Sequence, residues 1–208
     1  MTSFIARLAI LTTAISTAAC TVLPRPEPPR VMDLAVAPSQ TTYDQALPFT
    51  VRVDTPLASA PIDSSIILLK PTPYEFQAFR QARWRDSTAV LIRDHLARHL
   101  RNSHGFRNIV IDTSPANTNI TLLTELSAFY ISVIRANKPE AILELHAELT
   151  ENRSGESLCI RNWSIREPSE DTDLDSAVEA FSRAGNTLAE ELTHWARSCV
   201  NKAPSTAP

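Results

Sequence analysis

The amino-acid sequence predicts an α+β domain, with a mostly antiparallel sheet that carries two main helices on one face. Residues 140–149 alternate apolar and polar side chains, as a strand with one buried and one wet face does. This segment is the middle one of three long strand-like segments, which predicts an antiparallel meander. Residues 175–200 instead repeat apolar side chains at spacings of three and four, which predicts a long amphipathic helix.

The other elements follow from local patterns. Runs of apolar and β-branched residues predict strands at 31–34, 49–53, 64–69 and 107–112, and the meander takes 120–133, 140–149 and 158–166. The segment after Tyr74-Glu75-Phe76 is predicted to be a polar turn region. A helix is predicted over 86–102, with Asp86 or Ser87 as its cap. Gly105 stands where a helix-ending turn requires a positive φ.

The N-terminus has the layout of a secretory signal. Arg7 precedes a short apolar run, and small residues stand directly before Cys20. The run is shorter than the about 20 residues that a membrane-spanning helix needs. A Cys at the cleavage site resembles the lipobox of bacterial lipoproteins, in which fatty acyl chains such as palmitate are attached and the Cys becomes the mature N-terminus. The alternative is an ordinary secreted protein whose Cys falls near the cleavage site; Thr17 stands where the lipobox usually has Leu.

These features divide the chain into a signal peptide (residues 1–19), a lipidated Cys with a Pro-rich tether (20–30), one folded domain (31–201) and a disordered tail (202–208). Proline favours extended polyproline II, so the tether holds the domain roughly 30 Å from a membrane. In bacterial lipoproteins an Asp after the Cys typically causes retention in the inner membrane. Thr21 stands there, so we expect an outer-membrane lipoprotein that faces the periplasm.

Composition excludes two classes of function. The net charge is −3 and the pI is near 6.0, so the chain lacks the basic excess that nucleic-acid binding requires. Only 3 glycines are present, which excludes a glycine-rich phosphate loop. No cofactor is expected.

The cysteines predict a crosslink. If Cys20 carries lipid, Cys159 and Cys199 remain as an even pair, which an oxidising compartment can join in a disulfide. Cys159 lies on a strand face and Cys199 on the apolar stripe of the last helix, so both point into one layer. Arg161 shares the face of Cys159, which leaves open the alternative of two small buried thiols.

Two clusters have the residue types of a metal site, but each has a simpler interpretation. His95 and His99 are four residues apart on a predicted helix, yet Leu96 replaces the Glu that a zinc metalloprotease uses as its base. An exposed helix face explains them. The solvated side of a strand explains the second cluster, which comprises Glu144, His146 and Glu148. No G-x-S-x-G turn offers a serine nucleophile, so we expect neither a metal site nor an enzyme.

Three features of the mature chain occur in a known order and spacing. A short strand follows the Pro-rich tether, the stretch 74–84 leads directly into a helix with Leu96 and Leu100, and a meander precedes a terminal helix. In these features residues 31–200 resemble the ABC-type transport auxiliary lipoproteins, the family of PqiC-like intermembrane transport lipoproteins. The resemblance transfers no active site, and the one functional residue that it matches is Cys20.

The resemblance implies an auxiliary role beside an ABC permease, its ATPase and a substrate-carrying MCE-domain protein, which together move lipids or other apolar molecules between membranes. The resemblance also implies that the protein is attached to the membrane through the lipid anchor. Whether several copies of the chain form a homo-oligomer is left open. The alternative function is a stand-alone periplasmic binding module for a lipid or other apolar ligand, which requires an apolar pocket of several hundred Å³.

A partner interface is predicted between residues 74 and 84, because aromatic residues among arginines are typical of interface hot spots. Its candidate contact residues are Tyr74, Phe76, Phe79, Arg83 and Trp84. The alternative is that Tyr74 and Trp84 cover the core.

Overall fold

The computed structural model describes residues 27–134 and 138–202, in which two helices pack against a curled sheet of eight strands. The strands are β1 (Arg30–Met32), β2 (Leu47–Val53), β3 (Ile66–Thr72), β4 (Glu75–Trp84), β5 (Phe106–Ile111), β6 (Ile120–Ser132), β7 (Glu140–Glu151) and β8 (Ser157–Pro168). The helices are α1 (Thr88–Asn102) and α2 (Leu174–Lys202). The α+β class is confirmed. The predicted signal peptide, Cys20, the predicted tether up to residue 26 and the tail from residue 203 lie outside the described residues.

The sheet is mixed, so the expectation of a mostly antiparallel sheet is wrong. Within the described residues, four strand pairings are parallel and three are antiparallel. β6, β7 and β8 form the predicted antiparallel meander. The parallel pairings join β1 to β4, β2 to β5, and both β2 and β3 to β6. Side-chain alternation could not predict this, because strands of either direction share the two-residue period.

The sheet forks at β6. One side of β6 pairs with β7 along its whole length. The other side pairs with β2 at residues 120–122 and with β3 at Ile131 and Ser132. The fork places β4 on a short branch of the sheet, between β3 and the three-residue strand β1.

The segment predicted as a polar turn region is strand β4, and only Pro73 and Tyr74 form the turn that precedes it. Its half-buried apolar residues are Phe76, Phe79 and Ala82, a three-residue spacing that a regular strand does not have. Gln81 has a φ of 53°, and the pairing with β3 shifts register along this segment. A bulge of this kind changes which side chains face the core. It breaks the two-residue alternation by which a strand is predicted from sequence, so this strand was not predicted.

The turn after α1 also differs from the expectation. The positive φ belongs to His104, at 55°, and not to Gly105. Glycine is favoured at position 105 for another reason: the ring of Tyr43 lies so close that a Cβ on residue 105 would be 3.3 Å from its Cδ2. At the other end of α1, Ser87 and not Asp86 is the cap, and its Oγ accepts a hydrogen bond from the Val90 amide.

The core lies between the sheet and the two helices. Trp84, Phe129 and Phe181 fill its centre, with ring centroids 4.5 to 5.6 Å apart. The buried face of α2 is rich in small residues, which allow the helix to approach the sheet closely. They include Ala177, Ala180, Ala184 and Ala189. In the described parts of the chain, neither helix has a stretch long and apolar enough to cross a membrane.

Candidate docking surface

The predicted interface residues are divided between surface and core. Tyr74, in the β3–β4 turn, is 97% exposed, and Arg83 is exposed on β4. Phe79 packs against the core, and Trp84 is fully buried within it. Trp84 is therefore a core residue, and the prediction that it contacts a partner is wrong.

Phe76 belongs to an aromatic cluster on the outer face of the sheet. Its ring meets Tyr130 edge-on, with 5.5 Å between centroids. Nζ of Lys70 lies 4.9 Å from the Phe76 centroid and 4.8 Å from that of Tyr130, a favourable position for a cation. We call these three residues the outer-face cluster. Sequence reasoning missed Lys70 and Tyr130, because no local pattern brings three separate strands together.

Much of β4 has an unpaired edge. β3 pairs with one side of β4, but β1 pairs with the other side only at Ala82–Trp84. Among the described residues, no strand covers this side of residues 75–81, which we call the open β4 edge. Unpaired N–H and C=O groups along such an edge can accept an extended segment of a partner. Gln77 and Arg80 are exposed on the same segment.

The two histidines of α1 lie between the helices, so their placement on an exposed face is wrong. His95 is 3% exposed and His99 is 2% exposed. His95 packs against Gly185 of α2. Burial, together with the nearby charge of His99, lowers the pKa of His95 to about 4. Among residues 27–134 and 138–202, no three His, Cys, Asp or Glu side chains are arranged to hold a metal ion.

Residues 33–41 form a strap that follows β1 and lies along α2. Ser182 Oγ accepts a hydrogen bond from the Ala35 amide at 3.1 Å, and Asn186 bonds both Ala35 and Ala37. Glu190 accepts from the Gln40 amide at 3.2 Å. Ser182, Asn186 and Glu190 are four residues apart, so they form one polar row on α2 that holds the strap.

Ser39, His99 and Glu190 meet where the strap crosses α1, but not in the geometry of a catalytic triad. Oγ of Ser39 and Oε2 of Glu190 lie 3.3 and 2.9 Å from the same ring nitrogen, Nε2 of His99. A triad needs the acid on the opposite nitrogen, and Nδ1 of His99 is buried without a partner. Burial alone would raise the pKa of Glu190, but hydrogen bonds from Thr41 and His99 outweigh this effect and lower it. The cluster fastens the strap.

The outer face of β7 is the solvated face that its alternation predicts. Glu144, His146 and Glu148 are half-buried there and alternate with fully buried residues. His146 shares a 2.7 Å hydrogen bond with Asn162, and Glu144 accepts one from Ser164. Strand β8 thus supplies partners for His146 and Glu144.

Cys159 of β8 and Cys199 of α2 are joined by a disulfide, with their Cα atoms 6.2 Å apart. Arg161 does not obstruct this pairing, because its guanidinium lies over the ring of Trp163 and pairs with Glu191. Nε1 of Trp163 also donates to Glu191, at 3.1 Å. The charge therefore stays at the surface while the face of Cys159 packs against α2.

Among the residues that the structure describes, two surface grooves are lined by a mixture of charged, polar and apolar residues. One, of about 610 Å³, lies beside β5 and includes Arg101, His104 and Arg107. The other, of about 410 Å³, lies beside the strap and includes Glu167 and Arg183 with residues of the Glu190 network. Apolar Phe106, Ile109 and Val110 also stand in the wall of the first groove, and Ala37 and Pro38 in that of the second.

Comparison with known proteins covers nearly all of the folded region. Residues 32–193 match the family model described as the ABC-type transport auxiliary lipoprotein component. A DUF330 protein from Xanthomonas campestris, of known crystal structure, is similar with a TM-score of 0.77 and 22% identity, over 85% of this chain and 99% of that chain.

Two further solved structures are similar at lower identity. An uncharacterized protein has a TM-score of 0.62 and 10% identity, over 82% of this chain and 99% of its own. A hypothetical protein from Chlamydia trachomatis has a TM-score of 0.51 and 8% identity, over 74% of this chain and 98% of its own. These structural likenesses concern the fold alone. No curated protein sequence shows significant similarity to the chain.

Proposed function

Because the chain belongs to the family of ABC-type transport auxiliary lipoprotein components, we propose that it is anchored through Cys20 in the outer membrane and docks a transport assembly in the periplasm. The assembly comprises an ABC permease, its ATPase and an MCE-domain protein that carries lipids or other apolar molecules between membranes. The role is structural: the domain binds and positions its partners and catalyses no reaction.

The filled core is the observation that carries a docking role. A carrier needs an apolar cavity of about 300–1,000 Å³ for its ligand. Here the rings of Trp84, Phe129 and Phe181 occupy the space between sheet and helices. This packing favours docking over the alternative, a stand-alone periplasmic module that binds a lipid or other apolar ligand.

The β4 strand supplies a surface that suits a protein partner. The open β4 edge offers backbone groups to an extended segment, with exposed Arg80 on it and exposed Arg83 just beyond it. Arginines are enriched among the residues that dominate binding energy at interfaces. We assign the docking of the MCE-domain protein to this edge.

The anchor is tested by Cys20→Ser in cells, followed by fractionation of the membranes. A single acyl chain binds membranes marginally, whereas several anchor stably, at about 0.8 kcal/mol per buried CH₂. The wild-type protein should float with outer membranes, and the Ser variant should be soluble with an unchanged circular dichroism spectrum. If the Ser variant still pellets with outer membranes after a high-salt wash, lipidation at Cys20 is not what holds the protein there.

The carrier alternative has its own test. The Cys20→Ser protein is purified from the periplasm without detergent, and its bound lipids are extracted and measured by mass spectrometry. Docking through a filled core predicts far less than one lipid per chain. A stoichiometric lipid would favour the stand-alone binding module.

A further inference from the structure

One end of the sheet gathers exposed apolar residues. The parallel register of β3 and β6 pairs Lys70 with Ser132, so the β3–β4 turn and the residues directly after β6 lie at the same end. Tyr74 in the turn is 97% exposed, and Ile134, two residues after β6, is 45% exposed. The three residues of the outer-face cluster each lie within four residues of Tyr74 or Ile134 in the sequence. We call this the hairpin end of the domain.

The N-terminal chain leaves the domain toward the hairpin end. β1 runs parallel to β4, with Arg30 opposite Ala82 and Met32 opposite Trp84. Residues 27–29 therefore leave β1 in the direction of Tyr74, not in the opposite direction. Pro28 and Pro29 have no N–H to pair with β4, so the open β4 edge stays available to a partner. Eight residues separate Ala82 from Tyr74, about 26 Å of strand.

The length of chain before β1 matches this distance. Ten residues separate Cys20 from Arg30, and they span at most about 36 Å when fully extended. An acyl group on Cys20 can therefore reach the level of Tyr74, but only slightly beyond it. A tether that runs back beside β4 does not act as the spacer of roughly 30 Å that its prolines predict. The hairpin end is then the part of the domain that the anchor brings to the membrane surface.

The side chains at the hairpin end suit a lipid headgroup region. Tyrosine is enriched where membrane meets water, because its ring is apolar and its hydroxyl is wet. Lys70 and Lys138 add cations near it. The exposed carboxylates of Glu75, Glu170 and Asp171 share this end, which favours a zwitterionic surface over a strongly anionic one.

We infer that the hairpin end is a second membrane contact, in which Tyr74 and Ile134 rest in the headgroup region of the bilayer that holds the acylated Cys20. This inference rests on the lipid anchor of the proposed function. The contact fixes the orientation of the domain, so that the opposite end, with the β7–β8 turn and the end of α2, points away from the membrane.

Lipid-borne quenching of tryptophan fluorescence tests the contact. The full-length acylated protein is reconstituted in phosphatidylcholine vesicles whose acyl chains carry bromine near the headgroup. Tyr74→Trp and Ile134→Trp place a reporter at the hairpin end. Ile160→Trp is the matched control: it is 58% exposed on the outer face, opposite Glu148, eight residues or about 26 Å along β7 from Glu140.

After subtraction of the wild-type signal, we expect the two hairpin-end reporters to be quenched at least about twofold more than the control. Equal quenching at all three positions, in protein that floats with the vesicles, would overturn the membrane contact and leave the anchor intact. Protein that does not float would overturn the anchor and the contact together. If floating Tyr74→Trp protein is unquenched and Tyr74→Ala loses capture of the MCE-domain protein, the turn is a protein contact, and the inference is wrong.

Discussion

Gly185 of α2 lies directly against the imidazole of His95 on α1: a Cβ added to Gly185 would be 3.2 Å from Nε2 of His95. The two helices meet at this point because one residue has no side chain and the other fills the space. His95 is therefore enclosed away from water, and neither of its ring nitrogens has a hydrogen-bond partner. An enclosed imidazole without an acceptor is stable only in its neutral form.

The stability of the domain should depend on pH through His95. Its pKa falls from 6.5 in the unfolded chain to about 4 in the fold. Between these values the unfolded chain binds a proton that the fold does not, so stability is lost as pH falls from about 6.5 to 4. The shift corresponds to about 3 kcal/mol. Urea unfolding at pH 7 and at pH 4 measures this loss of unfolding free energy.

The control is His95→Gln, which keeps a polar side chain without a titrating ring. Wild type should lose about 3 kcal/mol more than this variant between the two pH values. Carboxylates with lowered pKa, such as Glu190, affect both proteins equally. If the unfolding free energies of the two proteins change equally with pH, His95 has the same pKa in the folded and the unfolded chain, and the prediction is wrong.

The disulfide should be present in protein isolated from the periplasm without reductant. Mass spectrometry after denaturation and alkylation should find no free thiol at Cys159 or Cys199. The bond closes a loop with a sequence separation of 40, so the double variant Cys159→Ala, Cys199→Ala should lose about 4 kcal/mol of unfolding free energy on the chain-entropy model. Two alkylated thiols in the native protein would rule the bond out.

Phe79 and Arg80 are neighbours on β4, but Phe79 is half-buried and Arg80 is exposed. Substituting each one therefore distinguishes residues that pack the core from residues that are free to contact a partner. Phe79 packs against the core, so Phe79→Ala should lower the unfolding free energy by about 2 kcal/mol. Arg80 is exposed, so Arg80→Ala should leave the melting temperature within experimental error. Thermal unfolding decides, and a large loss of stability in Arg80→Ala would assign this face of β4 to the core.

The elements that sequence predicted best are those with one regular period. Strand β7 and helix α2 each keep one buried face along their length, so spacing was sufficient to place them. β4 was missed because the bulge at Gln81 breaks its alternation. The parallel pairings were missed because they depend on contacts between distant segments, which no local pattern contains.

The candidate site was predicted only in part, for a similar reason. The stretch 74–84 was identified, yet its exposed and buried members could not be told apart from residue types alone. Tyr74 and Trp84 are both aromatic, but one is 97% exposed and the other 0%. The burial of His95 had one usable signal: Gly185 interrupts the apolar stripe of α2, which indicates a large neighbour at that position.

Co-isolation of the transport partners tests the docking role most directly. The acylated, affinity-tagged protein is crosslinked in living cells and purified beside two variants. One variant carries Arg80→Glu and Arg83→Glu on β4, and the other carries Ile160→Ser at the far end of the sheet. We expect the MCE-domain protein and its ABC permease to co-purify with wild type and with Ile160→Ser, and to be reduced at least about tenfold by the β4 charge reversals. Absence of these partners from the wild-type sample, or equal recovery with all three proteins, would contradict a docking role at β4.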